Sequence, residues 1–227
     1  MEINSLTTEQ LKEYLSESSK TLKPSSLAHR VRSIKSLLRW SYEEGHISIN
    51  PAAKIKEPKV GKRIPKFLTE REIEHLREVC YTPLEKSLFE FMFSTGCRIG
   101  EVVTLDKNSI NWSNHSAIVR GKGDKEREVY FNIRYDIWLK RYIESRSDND
   151  EAISVTERHP HRMSKAQMRY IIKRISKRAG IDKEIYPHQL RHSYAAHLLN
   201  NGAPLEVIQS LMGWDMRKVK QLEYMLS

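Results

Sequence analysis

Six side chains beyond residue 90 have types and spacings suited to phosphate chemistry. They are Arg98, Lys122, His188, Arg191, Trp214 and Tyr224. Arginine binds phosphate oxygens through a planar fork and stays charged, and a tyrosine hydroxyl can attack phosphorus and form a phosphoester. The leaving oxygen of such a reaction needs a proton from a positioned acid. Together these side chains could hold a phosphodiester while the tyrosine attacks it, with no metal ion required.

Taken singly, several of these residues also have a plain structural interpretation. Arg98 could simply pair with Glu101, and a lysine in a Gly-Lys-Gly turn is usually solvated. His188 and His192 lie four residues apart and could bind zinc from a helix, but no third ligand follows at the spacing of zinc hydrolases. We therefore expect no metal site, and the phosphate interpretation rests on the co-occurrence of all six residues in order.

The composition is that of a globular protein with one large or two small domains. The chain has 227 residues, of which 39% are hydrophobic and 30% charged. No apolar run approaches the roughly 18 residues that a membrane span needs, and the N-terminus lacks the basic and apolar regions of a signal peptide. Two cysteines cannot form a disulfide framework and fit a reducing compartment. We expect a cytoplasmic protein with no membrane partner and no small-molecule ligand.

The charge distribution indicates a polyanionic partner. The formal net charge is +10, and residues 1–66 hold 13 Lys and Arg against 7 Asp and Glu. A basic N-terminal part beside a more balanced remainder is typical of nucleic-acid-binding proteins, although many soluble proteins are basic as well. The cations that we expect to contact DNA are Arg30, Arg32, Lys35, Arg39, Lys62, Arg63, Lys125 and Arg127.

Helical periodicity dominates the sequence. Capping-box spacings at Thr7 and Thr69 predict two helix starts. Further helices are expected over 26–44, 83–94, 98–105, 133–145, 164–179, 187–200, 204–212 and 216–225. The segments 116–120 and 126–131 flank a Gly-Lys-Gly-Asp turn and predict a β-hairpin. The expected fold is mainly α with a small β-hairpin or sheet (α+β), and the basic segment 58–66, with its Gly and Pro, is typical of a linker.

Four segments carry a family resemblance. They are 95–101 (TGCRIGE), 121–127 (GKGDKER), 188–199 (HQLRHSYAAHLL) and 211–214 (LMGW). In this order they resemble the boxes of the tyrosine recombinases, the family of phage integrases and Xer-type recombinases. The resemblance covers about residues 65–224, and residues 5–57 resemble the latter part of the family's helical core-binding domain. It implies a core-binding domain at 1–57, truncated at its N-terminus, a linker at 58–66 and a catalytic domain at 67–227.

Carried over residue by residue, the resemblance implies a role for each side chain around the phosphate. Arg98 and Arg191 would bind the scissile phosphate. Lys122, on the hairpin turn, would protonate the leaving 5′ oxygen, a role that two neighbouring cations could also take. His188 would accept a proton or bind the phosphate, and Glu101 would orient Arg98 or His188.

The two aromatic residues of the set depart from the usual family pattern. Trp214 takes a position that is His in most members and Trp in a minority. Its indole N–H can donate to a phosphate oxygen but cannot shuttle a proton. Tyr224 would be the nucleophile, but it follows Trp214 by ten residues where the family usually has nine. One extra residue turns a helix by about 100°. We therefore expect an irregularity near 215–217 and delivery of the tyrosine within its own chain.

The resemblance implies a site-specific DNA recombinase or integrase. The tyrosine would form a 3′-phosphotyrosyl intermediate and release a 5′ hydroxyl, and the hydroxyl of a partner strand would reverse the step, so no ATP, metal or other cofactor is implied. The expected partner is double-stranded DNA, with a homo-tetramer on two DNA sites and a monomer or weak dimer off DNA. Two alternatives remain open: a type IB topoisomerase-like enzyme that relaxes DNA, and a catalytically impaired DNA-binding remnant.

Overall fold

Two compact units make up the chain, Met1–Arg63 and Ile64–Ser227. The computed structural model describes residues 3–59, 61, 67–121, 123, 125–181 and 185–226. Within these residues the first unit holds one buried apolar cluster and the second unit holds two.

The first unit is built on two helices, α1 (Thr8–Thr21) and α2 (Pro24–Glu43). The Thr7 hydroxyl accepts from the Gln10 amide while the Gln10 side chain accepts from the Thr7 amide, so the predicted capping box begins α1. Pro24 occupies the first turn of α2, where a backbone N–H would have no helical partner. The loop after α2 completes the core, which contains Leu11, Val31, Leu38, Ile47, Ala52 and Ile55.

The second unit is mainly helical with one small sheet. Its helices are α3 (Glu70–Glu78), α4 (Pro83–Thr95), α5 (Ile99–Val103), α6 (Ile133–Glu144), α7 (Lys165–Arg178), α8 (Pro187–Asn200), α9 (Leu205–Met212) and α10 (Met216–Leu226). Its strands are β1 (Ile110–Asn111), β2 (Ser116–Arg120) and β3 (Glu126–Tyr130), paired antiparallel in that order. The predicted hairpin is present, with Arg120 opposite Glu126 as the last pair before the turn. The two-residue strand β1 is an element that the sequence pattern did not predict.

Helix α4 is the centre of the second unit, where it packs against α6, α7 and α8. The Thr82 hydroxyl caps its start and Pro83 occupies its first turn. It ends at Gly96, whose φ of 59° lies in the left-handed region. A Cβ at Gly96 would also lie 2.5 Å from Cδ1 of Tyr194, so both the backbone and the close approach of α8 require glycine here.

Both cysteines are free thiols inside the core of the second unit. Burial raises the pKa of Cys80 to about 12 and the pKa of Cys97 to about 11. Because the thiolate is the reactive form, both side chains behave as small hydrophobic residues at neutral pH.

The described part of the chain contains no helix long and apolar enough to cross a membrane. The same residues bring together no group of three or more His, Cys, Asp or Glu side chains that could hold a metal ion.

A buried ion cluster ties α4 to α7. Glu85 is 1% exposed and accepts hydrogen bonds from Arg174 at 2.7 Å and Arg178 at 2.5 Å. The backbone amide of Tyr81 donates to the same carboxylate at 2.9 Å, and the Arg178 guanidinium lies 4.5 Å from the centroid of the Tyr81 ring. The carboxylate therefore has partners on both oxygens, and removing it would leave two charges and an amide without their acceptor.

We expect Glu85→Ala to lower the free energy of unfolding by about 1.5–3 kcal/mol, the usual range for losing hydrogen bonds to a charged group. The side chains of Arg174 and Arg178 are 40% and 25% exposed, so water can partly replace the lost carboxylate. The matched control is Glu126→Ala, whose pair with Arg120 is solvent-exposed and should contribute less than about 1 kcal/mol. Urea unfolding of the two variants measures both values, and equal losses would contradict the structural role of the cluster.

Candidate active site

Arg191, in α8, is a buried charge held by two helix ends. Its side chain is 3% exposed, and its terminal nitrogens donate to the carbonyl oxygens of Gly96, after α4, and Met212, the last residue of α9. Burial, followed by the positive charge of Arg98, lowers the pKa of Arg191 to about 10. Neither carbonyl neutralises the guanidinium, so a full positive charge is fixed at the point where α4, α8 and α9 meet.

Glu101, in α5, holds two further arginines beside this charge. It accepts from the backbone amide of Arg98 at 2.7 Å and from Nη1 of Arg98 at 3.0 Å. Both terminal nitrogens of Arg127 donate to it, at 2.7 and 2.9 Å. Burial disfavours its charge, but the bonds from Arg127 and from the Arg98 amide outweigh burial and lower the pKa of Glu101 to about 2. The carboxylate is therefore charged and fixes the position of Arg98.

Trp214 covers Arg191 and lacks a partner for its own polar atom. The indole is 7% exposed, and its buried Nε1 has no hydrogen-bond partner among the described residues. The Arg191 guanidinium lies 5.6 Å from the ring centroid, and the His192 ring lies 5.4 Å from it. A buried N–H without an acceptor is costly, so the Trp214 Nε1 is a donor that an oxygen acceptor would stabilise.

Two histidines of α8 border the same site. Burial and then the charges of Arg191 and Lys218 lower the pKa of His188 below its ordinary value. Burial and then Lys218 lower the pKa of His192 to about 4. Both imidazoles are therefore neutral at pH 7 and retain a nitrogen that can accept a proton.

Tyr224 lies on the outward side of α10. Its side chain is 82% exposed, whereas Val219 and Leu222 of the same helix are buried against α8 and α9. At about 100° per residue, Tyr224 lies roughly 200° around the helix from Leu222 and 140° from Val219. Residues 213–215 connect α9 to α10 and are not helical, and α10 is continuous from Met216. The irregularity expected near 215–217 is therefore limited to Asp215, before the helix begins.

The structure gives several of the predicted DNA-contacting cations partners inside the first unit. Arg30 donates to the hydroxyls of Tyr14 and Ser18, and Lys35 donates to a backbone carbonyl at 2.8 Å. The exposed Arg32 and Arg39 pair with acidic side chains, Glu57 and Glu43 respectively. All four lie on α2, and their expected contact with DNA stays a prediction.

Arg127 is not an open surface cation. Besides binding Glu101, its Nε donates to the Leu211 carbonyl at 3.3 Å, so it links β3 to α5 and α9. This is a structural task that the sequence did not suggest for a residue expected to contact DNA. Lys125 is exposed at the hairpin turn. Lys122, Lys62 and Arg63 lie outside the described residues.

A profile described as the phage integrase family matches residues 66–221. The chain belongs to the phage integrase family. The tyrosine recombinase XerC of Oceanobacillus iheyensis is 33% identical over 210 residues, covering 87% of this chain and 68% of the relative. XerD of Lacticaseibacillus casei is 32% identical over 211 residues (88% and 72%), and XerC of Proteus mirabilis is 31% identical over 199 residues (85% and 65%).

Solved structures show the same fold at low sequence identity. A lambda integrase (75–356) dimer bound to a COC′ core site matches with a TM-score of 0.79 and 18% identity, covering 98% of this chain and 81% of that one. XerH recombinase in a post-cleavage complex with a palindromic difH substrate matches with a TM-score of 0.80 and 18% identity, covering 98% and 70%. The predicted family, the α+β fold class and the enzyme class, a tyrosine recombinase, are confirmed.

Sequence reasoning missed one lysine beside the site and one row of cations on α7 in this recombinase. Lys218, in α10, places its Nζ 4.3 Å from the centroid of the Trp214 ring. The exposed side of α7 carries a lysine or arginine at every fourth residue: Lys165, Arg169, Lys173 and Lys177. The charge of Arg169 reaches His188 and contributes to lowering its pKa. The spacing of four within a segment lacking Asp and Glu was a signal that could have identified the α7 stripe.

We expect Glu101→Gln to destabilise the recombinase by about 3 kcal/mol at pH 7, since the lowered pKa of Glu101 corresponds to about 1.4 kcal/mol per unit. A carboxylate with a lowered pKa stabilises the fold above its ordinary value of 4.5. The difference between wild type and variant should therefore shrink as the pH falls from 4.5 towards 2. Urea unfolding at several pH values measures it, with Glu126→Gln as an exposed control; a pH-independent difference would refute the assignment.

Proposed function

We propose that this recombinase cleaves one strand of double-stranded DNA through Tyr224 and rejoins it to a partner strand. The observation that carries the proposal is the unpartnered Nε1 of Trp214 beside the buried charge of Arg191. A site with a fixed cation, a second arginine and an orphaned donor requires an anion with several oxygens. A phosphodiester fits that description, since its non-bridging oxygens accept bonds from different directions.

The chemical step exchanges one phosphoester for another. The Oη of Tyr224 attacks phosphorus, the bond from phosphorus to the 5′ oxygen breaks, and a 3′-phosphotyrosyl ester forms. The tyrosine loses a proton, and His188 is suited to accept it because its lowered pKa keeps it neutral. The 5′ oxygen gains a proton, for which Lys122, between β2 and β3 in the sequence, is the proposed donor. A 5′ hydroxyl from the partner strand reverses both transfers, and no external energy source is needed.

Three donors would stabilise the charge that develops on the non-bridging oxygens. Arg98 is fixed by Glu101, Arg191 is fixed by two carbonyls, and Trp214 Nε1 is buried between packed helices. Donors that are already oriented lower the barrier, because they need no rearrangement when charge develops. The arrangement therefore favours the transition state over the free substrate.

DNA binding would extend from this site over the surrounding cations. The α7 stripe runs from Lys165 to Lys177, about three helical turns. The charge of its Arg169 reaches His188, so the stripe can lead a phosphate backbone away from the site. The expected contacts from α2 and from Lys125, Lys62 and Arg63 would add to it. The similarity to a lambda integrase bound to a core site and to XerH bound to a difH substrate supports double-stranded DNA as the partner.

Four protomers are the proposed working assembly. Exchange between two duplexes breaks four strands, and each cleavage uses one tyrosine, so a homo-tetramer on two DNA sites supplies one nucleophile per strand. Off DNA we expect a monomer or weak dimer, because the site needs no partner chain to assemble its arginines. Two buried thiols fit activity in the reducing cytoplasm.

Tyr224→Phe should abolish formation of a covalent protein–DNA adduct while leaving DNA affinity within a few-fold. The assay uses a duplex nicked a few nucleotides downstream of the scissile phosphate. The short released fragment, which carries the 5′ hydroxyl, diffuses away, so the adduct accumulates and is detected on a denaturing gel. Tyr186→Phe is the control, since Tyr186 is also exposed and lies next to α8. An adduct that persists in the Tyr224 variant would move the nucleophile elsewhere, and no adduct from wild type would favour the impaired DNA-binding remnant.

We expect the tyrosine to act within its own chain, because α10 is anchored to α8 and α9 of the same chain through Val219 and Leu222. The exposed position of Tyr224 then requires the turn after Leu222 to change conformation when DNA binds. Arg191→Ala should lower cleavage by at least about 10²-fold, the usual effect of losing one such donor. A mixture of Tyr224→Phe and Arg191→Ala chains should stay inactive, and restored cleavage would demonstrate delivery to a neighbouring protomer.

A further inference from the structure

Lys218 extends from the tyrosine-bearing helix towards the arginines of the site. Its Nζ lies 4.3 Å from the centroid of the Trp214 ring, and the Arg191 guanidinium lies 5.6 Å from the same centroid. The start of α10 is held in place because the Asp215 side chain accepts from the Lys218 backbone amide at 3.0 Å. The ammonium group is therefore next to the donors proposed to bind the phosphate.

The neighbouring bases of α10 do not share this position. The side chain of Arg217 is 94% exposed and is 3.8 Å from Asp215. Lys218 and Lys220 are both exposed, but at about 100° per residue Lys220 lies roughly 200° around the helix from Lys218, away from the Trp214 ring. Three bases within four residues thus have different surroundings, and Lys220 provides a control of the same residue type on the same helix.

The charges around Lys218 are mostly positive. Partial desolvation, followed by the charges of Arg191 and Arg98, lowers the pKa of Lys218, and Asp215 opposes this change. Neighbouring positive charges repel each other. A phosphodiester bound near Lys218, Arg191 and Arg98 would attract all three cations and so offset their mutual repulsion.

We propose that Lys218 is a further ligand of the scissile phosphate and that it couples the phosphate to the helix that carries Tyr224. The proposal rests on the proposed function, because it needs a phosphodiester beside Arg191 and Trp214. Arg98, Arg191 and Trp214 belong to other elements and bind the phosphate from a fixed frame. Lys218 is part of α10, so its bond to the phosphate would connect the scissile phosphate directly to the helix from which the tyrosine is delivered.

Two other roles for Lys218 make different predictions. A purely structural lysine would stabilise the fold by covering the Trp214 ring, and its loss would lower stability without DNA. A leaving-group acid would become dispensable once the leaving oxygen needs no proton. A lysine that binds the phosphate is needed whatever the leaving group is. Removing this lysine from a cluster of cations should leave the protein without DNA at least as stable.

The test compares Lys218→Ala, Lys218→Met, Lys218→Arg and Lys220→Ala in the full chain, with adduct formation on the nicked duplex measured at saturating DNA. We expect the Ala and Met variants to cleave at least about 10-fold more slowly with DNA affinity within about 3-fold, as for the loss of one donor to the transition state. The Arg variant should retain cleavage within about 3-fold, and Lys220→Ala should match wild type.

A second duplex carries sulfur in place of the bridging 5′ oxygen, so that the leaving group departs without a proton. The deficit of Lys218→Met should persist on this duplex, and its thermal unfolding midpoint without DNA should equal or exceed that of wild type. The proposal is overturned if Lys218→Met cleaves like wild type, if the sulfur duplex removes its deficit, or if the midpoint falls. A wild-type chain that forms no adduct on the oxygen duplex would instead refute the proposed function itself.

Discussion

The positive charge of Arg191 is kept inside the protein without a neutralising partner, and much of the second unit is arranged around that fact. Desolvating a guanidinium is expensive unless its hydrogens are bonded, and two carbonyl oxygens at helix ends provide those bonds. One of them belongs to Gly96, whose left-handed backbone ends α4 and whose missing side chain admits Tyr194. The helix termination, the close packing of α8 and the orientation of the arginine are therefore a single arrangement.

One carboxylate, Glu101, holds the neighbouring arginines in place without neutralising all of their charge. Glu101 binds Arg127 and Arg98 together, so its negative charge is shared, and the cluster remains positive. Arg127 also links the sheet to the end of α9, which connects the hairpin of β2 and β3 to the helices around Trp214. The small sheet therefore helps to position the site, although its strands are only two to five residues long.

Local signals in the sequence predicted most helices and the hairpin, whereas the roles of several charged residues depend on tertiary contacts. Thr7 and Thr69 form capping boxes because the bonds involved lie within three residues, and the hairpin follows from two β-rich segments around one turn. Strand β1 has two residues and no periodicity to detect. Arg127 and Lys218 look like other surface cations in a one-dimensional pattern, because only the packing of β3 and α10 brings them to Glu101 and Trp214.

The two cysteines give the chain a practical property. Cys97 lies directly beside the arginine cluster, yet its burial raises its pKa to about 11, and Cys80 is equally enclosed. Alkylating reagents react with thiolates at the surface, so the natural chain offers them almost no background. A single cysteine introduced on the hairpin turn or after Leu222 could carry a fluorophore without prior removal of the native thiols, and the movement of either segment on DNA could be followed in real time.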